Sequence, residues 1–421
     1  MLYNTFMNKK KKVLIVGNTV KDYALAKKLK TFDCDIFIAP GNSLIEEDVA
    51  ECVDIREDSV QQLLEFVLEN AVDLTVATSE IAIKNDIATL FQNNGQLIFA
   101  PSAQSAAVAL SRSVAKRFLY KLKIPTPRFA IFDKSQLAVD YLKNAAMPQV
   151  IRADENSNSA DRLVCTTFTS AKTFVEDLFF KDEKKVVLED YVYGHEFTFY
   201  AVTDGYSALP LITVANYKFM EDGNGGILTS GTGAYTPDYK VSKDIETFVM
   251  CNVVQKALQA LEKKGTPYLG ILGVECVLQP DGQVVTLAFK PFLSDHDANA
   301  VLNLIDENLF TLFEACAIGS FADDYENIDV SNNSSVSCVI SSRLEGKVIK
   351  GLELVESDIL NFGIKKNKYL EYETIKGKNF VFTRTAKTLS RARKHLYEDI
   401  EVIEFDGKKY RGDICEQVEN F

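Results

Sequence analysis

The residues whose types and spacing bear most directly on chemistry lie between Gly270 and Asn299, GILGVECVLQPDGQVVTLAFKPFLSDHDAN. Two apolar segments flank Pro280-Asp281-Gly282, a composition that favours a tight hairpin turn. Pairing Gln279 with Val284 sets Glu275 opposite Ala288, with Lys290 two residues along on the same face. A carboxylate isolated on such a face is costly unless a metal ion or a fixed cation compensates it. Lys290 is within diagonal reach. Glu275 is thus either a candidate metal ligand or one half of an ion pair with Lys290, and either arrangement suits a nucleotide site.

Three other stretches carry polar groups at useful spacings. The loop Asp154 to Arg162, flanked by Arg152 and Arg162, offers backbone amides and guanidiniums to a triphosphate; an ordinary hairpin loop is the plainer reading. Val187 to Glu196, VLEDYVYGHE, reads as an apolar strand running into an acidic turn, with backbone groups for a base edge and a carboxylate for ribose hydroxyls. Ile227 to Pro237, ILTSGTGAYTP, is small and polar, and Gly231 and Gly233 there permit close approach to the backbone; a surface loop is the alternative. Asp295, His296, Asp297 and Asn299 begin a helix expected over Ala300 to Ile318. The histidines His195, His296 and His395 have no second ligand nearby, and surface positions are expected for them.

These groups need a scaffold, and the alternation of patterns supplies one. KVLIV from Lys12, then DIFIAP, DLTVAT and LIFA, are strands separated by helix patterns, which implies a parallel sheet covered on both faces. Gly17-Asn18 after the first strand is a weak phosphate-loop signal. A helix over Ser111 to Leu122 and the linker Ile124-Pro125-Thr126-Pro127 lead into a mixed region. IDVSNNSS, from Ile328, is a polar linker into VSCVISS, further strands and the helix LSRARKHLYEDI, a small α+β unit. Residues 1–9 read as a disordered tail.

At 421 residues the chain is long enough for roughly three domains. Apolar residues at 47% and charged at 25% are ordinary for a globular protein, and a net charge of -12 argues against nucleic acid as a partner. No apolar run approaches the roughly 18 residues of a membrane span, and no signal peptide is evident. The eight cysteines show no metal-binding spacing, so buried free thiols in a reducing cytoplasm are expected.

Taken together, KVLIVGN, IFIAPGN, IFAPSA, SRSVAKRFLYKLKIPTP, VIRAD, VLEDYVYGHE and LTSGTGAYTP, in that order, resemble the ATP-grasp ligases, specifically the glycinamide ribonucleotide synthetase (phosphoribosylamine–glycine ligase) family. The resemblance implies an α/β and α+β fold: a tail (1–10), an N-terminal Rossmann-like parallel-sheet domain (11–110), an ATP-grasp body (111–325) with a small lid subdomain (about 124–192), and a C-terminal α+β domain (326–421). It implies ATP-dependent C–N ligation in purine biosynthesis, with phosphoribosylamine and glycine, or a related amine and carboxylate, as substrates. ATP and Mg²⁺ would be its cofactors, with no nucleic-acid or membrane partner. Arg112, Arg152, Glu189, Tyr191 and Glu196 match its ATP-binding positions, and Lys218, Gly231, Gly233 and Tyr235 its substrate-binding segment. Asp295 matches its acidic catalytic position, while Phe292 replaces an arginine. Glu275 is the remaining metal candidate, because Ala288 and Lys290 replace the family's metal pair; Lys290 would then occupy the ion's place. Thr19-Val20-Lys21-Asp22-Tyr23 stands for the Gly-Gly-Arg-Glu-His loop, and Ala160-Asp161-Arg162 for a Gly-Lys-Gly lid. These departures leave a non-catalytic relative, binding a nucleotide or a partner protein, as the alternative.

Overall fold

A computed structural model describes residues 10–155 and 162–418. The expected tail at residues 1–9 and the centre of the polar loop, 156–161, lie outside the described residues.

The N-terminal strands β1 (Lys12–Gly17), β2 (Asp35–Pro40), β3 (Glu51–Cys52), β4 (Leu74–Ala77) and β5 (Ile98–Phe99) form a parallel sheet in the order β3-β2-β1-β4-β5. The continuous apolar run of β1 has a direct cause. Val13 and Ile15 enter one hydrophobic cluster while Leu14 and Val16 enter another on the opposite face, so neither face admits polar residues. Phe99 stacks on Phe313 of the helix Leu309–Ile318 at 4.0 Å between ring centres, which ties this sheet to the rest of the molecule.

The lid is a second sheet, β6 (Phe129–Phe132), β7 (Gln149–Ala153), β8 (Arg162–Cys165) and β9 (Val186–Asp190), ordered β6-β9-β7-β8 and antiparallel throughout. The single strand expected from Val187 to Glu196 is two strands in the structure. β9 ends at Asp190, and β10 (His195–Asp204) belongs to the body. The chain crosses between them at Gly194, where a Cβ would stand 2.3 Å from the Leu278 carbonyl oxygen.

The body is an antiparallel sheet with β11 (Ala208–Glu221), β12 (Gly225–Thr236), β13 (Leu269–Leu278) and β14 (Val284–Lys290). The segment 227–237, open between ligand loop and surface loop from sequence, is most of β12. It is held on one side by β11 and on the other by β15 (Ser334–Ser342). Through that second pairing the sheet continues into the C-terminal segment. With β16 (Asp358–Asn361), β17 (Ile364–Lys366), β18 (Tyr372–Thr374) and β19 (Gly377–Ala386), its order runs β14-β13-β10-β11-β12-β15-β19-β16, while β17 and β18 pair apart. The C-terminal strands therefore extend the body's sheet instead of making one of their own. The helix Leu389–Val402 covers them with Leu389, Ala392, Leu396 and Ile400.

The expected helix from Ala300 to Ile318 is interrupted. Ala298–Leu302 ends early, and Leu309–Ile318 restarts where the Asn308 side chain accepts hydrogen bonds from the Phe310 and Thr311 amides. Eight cysteines are free, six of them buried, as expected; Cys251 is exposed and Cys52 half-buried. Among the described residues no helix is long and apolar enough to cross a membrane.

Candidate active site

The hairpin places Glu275 opposite Ala288, as expected, but by a different route. Val284 pairs with Leu278 instead of Gln279, and the one-residue slip is cancelled by a bulge between Cys276 and Glu275 that leaves Leu287 without a register partner. Without the bulge Glu275 would face Leu287. Lys290 then meets Glu275 with Nζ 3.1 Å from Oε1, and the same oxygen receives the Lys218 ammonium at 3.0 Å. Lys218 comes from β11, on the far side of β10, and also pairs with Glu196 of β10 at 3.1 Å. Burial alone would raise the Glu275 carboxyl, but Lys218 and Lys290 outweigh it and hold it well below the usual carboxylate range.

Glu275, Lys218 and Lys290 line a cavity of about 440 Å³ where the N-terminal domain, lid and body meet. One side is cationic: Arg112, Arg152, Arg162, Lys218 and Lys290 around Glu275. The other carries Lys21 with Asp22, Glu57, Glu80 and Asp295. The guanidiniums are brought together by Asp154. Its carboxylate accepts from the Ser111 and Ser113 hydroxyls and the Ser113 amide, and its carbonyl from the Arg112 amide. A carboxylate at the start of the helix Arg112–Lys121 suits the positive end of the helix dipole. This strut fixes Arg112 beside Arg152, two residues before Asp154 in the chain. Arg152 is in turn the register partner of Arg162. Neither Arg112 nor Arg162 has a carboxylate partner among the described residues, and the buried Nε atoms of Arg152 and Arg162 make no hydrogen bond. Burial, with Arg152 and Arg112 beside it, lowers Arg162 to about 10. Unpaired guanidiniums facing a cavity are an anion site.

On the acidic side Asp22 is buried, accepts from the Thr19 amide at 2.8 Å and its hydroxyl at 2.9 Å, and bonds the Thr78 hydroxyl. Gly17 makes the room: a Cβ there would lie 2.3 Å from that carboxylate. Asp295 accepts from the Lys21 amide at 3.1 Å, joining body to N-terminal domain across the cavity.

Several expected residues are placed elsewhere. Glu189 does not line the cavity; its carboxylate is buried against Lys116 at 2.7 Å, with Arg152 at 3.7 Å. Tyr191 packs edge-on against Tyr193 at 4.8 Å, and Glu196 is engaged by Lys218; neither lines the cavity. Gly231 does admit something close to its backbone, but it is the His296 ring, 2.2 Å from where a Cβ would sit. Gly233 is filled by Ile414, and the Tyr235 hydroxyl points to Asp238 at 3.3 Å. The surface position expected for His296 is likewise corrected. It is fully buried, with Nε2 2.9 Å from the Asn216 side-chain oxygen, and burial holds it well below its usual pKa and hence neutral. Sequence reasoning passed over Lys116, Asp154 and the pairing role of Lys218. Only the i, i+4 spacing of Arg112 and Lys116 on one helix signalled any of these.

Asp297 supplies a pH prediction. It is fully buried, accepts from the Tyr200 hydroxyl at 2.8 Å and the Ser294 amide at 2.9 Å, and burial raises it from 3.8 to about 6. A raised carboxyl stabilises the fold below its unfolded pKa, and that contribution is lost as pH rises through the folded one. Urea unfolding between pH 4 and 7 should show the native protein losing roughly 2–3 kcal/mol more than Asp297→Asn.

The cavity offers poor ligands to Mg²⁺. Glu275 is already paired with two ammoniums, Ala288 presents a methyl group, and among the described residues no group of three His, Cys, Asp or Glu could hold a metal ion. The residues present do not fit the ion.

An N-terminal α/β domain, an antiparallel lid and a sheet body around a cation-lined cavity define the chain as an ATP-grasp protein. Residues 110–297 match "Phosphoribosylglycinamide synthetase, ATP-grasp (A) domain" and residues 11–109 the N domain of the same family. The phosphoribosylamine–glycine ligase of Caldanaerobacter subterraneus is 30% identical over 420 residues, covering 96% of this chain and 99% of the relative. That of Clostridium acetobutylicum is 28% identical over 419 residues, covering 96% and 99%. The chain belongs to the phosphoribosylamine–glycine ligase family, an ATP-dependent ligase family. The crystal structure of the Thermotoga maritima phosphoribosylamine–glycine ligase has the same fold, with a TM-score of 0.81 at 23% identity over 96% of this chain and 100% of that one. The biotin carboxylase domain of Hydrogenobacter thermophilus 2-oxoglutarate carboxylase, solved with MgADP, is alike at a TM-score of 0.72 and 14% identity, covering 95% and 91%. These likenesses lend no support to the non-catalytic alternative.

Proposed function

We propose that the chain joins phosphoribosylamine to glycine at the expense of ATP, and that the cavity between lid, body and N-terminal domain is where it does so. A glycine carboxylate oxygen attacks the γ-phosphorus and ADP leaves, giving glycyl phosphate. The amine nitrogen then attacks the acyl carbon, inorganic phosphate departs, and the nitrogen gives up a proton. Both steps need alignment and stabilisation of phosphate charge more than covalent help from the protein. Arg112, Arg152 and Arg162 hold the polyphosphate, with Lys218 and Lys290 beside it. Asp295, from the side shared with Asp22 and Glu80, attracts the amine. The observation that carries this reading is that Arg112 and Arg162 line the cavity with no carboxylate partner among the described residues, beside Arg152, whose buried Nε makes no hydrogen bond. Adenine would lie toward the Glu189–Tyr191 backbone, with Glu196 near the ribose. The working units are 11–110, 111–325 with its lid at 124–192, and 326–421. The free thiols suit a cytoplasmic setting.

The test is ADP release measured with purified protein. Release that requires both phosphoribosylamine and glycine is expected; release indifferent to either substrate would remove the proposal.

A further inference from the structure

We propose that this cavity takes its nucleoside polyphosphate as the metal-free anion, with the Lys290 and Lys218 ammoniums supplying the charge that a divalent cation supplies elsewhere. The proposal rests on the ATP-dependent reading above and specifies the ionic form of its substrate.

The geometry of Glu275 carries it. One carboxylate oxygen, nearly inaccessible to solvent, takes Lys218 at 3.0 Å and Lys290 at 3.1 Å. Lys290 is also tethered by the Ser294 hydroxyl at 2.5 Å, so its ammonium is held in place before any ligand arrives. A divalent ion on Glu275 would stand within a few ångströms of two fixed positive charges. The position across the hairpin that would add a second oxygen is the Ala288 methyl. Displacing Lys290 would expose an ammonium to the same low-dielectric surroundings without its partner. The site therefore holds a cation permanently, as part of the chain.

The wider charge arrangement agrees. Arg112, Arg152, Arg162, Lys218 and Lys290 gather on one side of the cavity around the single carboxylate of Glu275. The buried Nε atoms of Arg152 and Arg162 make no hydrogen bond, and the Arg152 Nε has only the Glu189 carboxylate at 3.7 Å. Such an excess suits an anion bearing the full charge of an uncomplexed triphosphate better than one half-neutralised by a metal. The bulge in the hairpin matters here: it alone brings Ala288, rather than Leu287, opposite Glu275 and so puts Lys290 on the carboxylate's face.

Calorimetric titration of the full chain with ATP, in EDTA and again in excess Mg²⁺, tests this. Affinity equal within about threefold in the two buffers, or tighter in EDTA, is expected. Lys290→Gln, which keeps a hydrogen-bonding end but no charge, should bind ATP at least tenfold more weakly in EDTA and recover when Mg²⁺ is added. Wild-type binding that tightens tenfold or more with Mg²⁺ would overturn this inference while leaving the ligase reading intact. Binding by Lys290→Gln equal to wild type in EDTA would also overturn it. Absence of ATP binding in both buffers would overturn the two together. The wild-type comparison stands alone if the variant does not fold.

Discussion

Arg152→Met is expected to weaken ATP binding on the order of 100-fold while leaving the fold as stable as before, or more so. The binding term follows from losing charge-assisted hydrogen bonds to phosphate, worth about 1.5–3 kcal/mol. The stability term follows from electrostatics among the cavity's own side chains. Arg152 sits beside Arg112 and is the register partner of Arg162; its buried Nε makes no hydrogen bond, and its nearest carboxylate, Glu189, keeps Lys116 at 2.7 Å when it is gone. Removing a like charge from such a cluster relieves repulsion. Calorimetry and thermal melting on the same preparation check both halves. A variant that binds ATP normally, or that loses binding only because it melts, would show that Arg152 is a structural residue. Opposed signs for affinity and stability are what a site built to bind an anion should give.

The second large effect is expected at Lys116. Its ammonium and the Glu189 carboxylate are both almost fully enclosed, 2.7 Å apart, and Lys116 also donates to the Thr126 hydroxyl at 3.2 Å. Burial by itself would raise Glu189, yet Lys116 and Arg152 hold it below its usual range. Lys116→Met strands that carboxylate and should cost about 3–5 kcal/mol. Lys116→Met/Glu189→Gln should recover most of the loss, because the desolvated charge is gone along with its partner. Urea unfolding of the two single variants and the double variant closes the cycle. A single-variant cost below about 1 kcal/mol would mean that Arg152, 3.7 Å away, suffices for Glu189.

Glu275 illustrates what could be read ahead of the structure. A hairpin across Pro280-Asp281-Gly282 is a local event, so its turn and the facing of Glu275 by Ala288 and Lys290 followed from a few neighbouring residues. Even so, the register near the turn was off by one and was restored by a bulge that nothing in VVTLAFK announces. The N-terminal sheet was equally legible, since both faces of β1 are buried and its residues must all be apolar. His296 and Gly231 show the opposite case. Their contact joins β12 to the loop before Ala298, and a small-residue strand paired on both sides has the same composition as a loop.

The sequence by itself determined most of the strands and helices, the family likeness, and the chemical character of the cavity wall, because these depend on residue type and short-range periodicity. Only the tertiary structure decided which charges far apart in the chain meet. Lys218 reaches Glu275 across an intervening strand, Asp154 clamps a distant helix beside Arg152, and Glu189 is buried against Lys116. The reason is physical: a buried charge is costly without a compensating partner, and sheet order and packing, which no local pattern encodes, choose that partner.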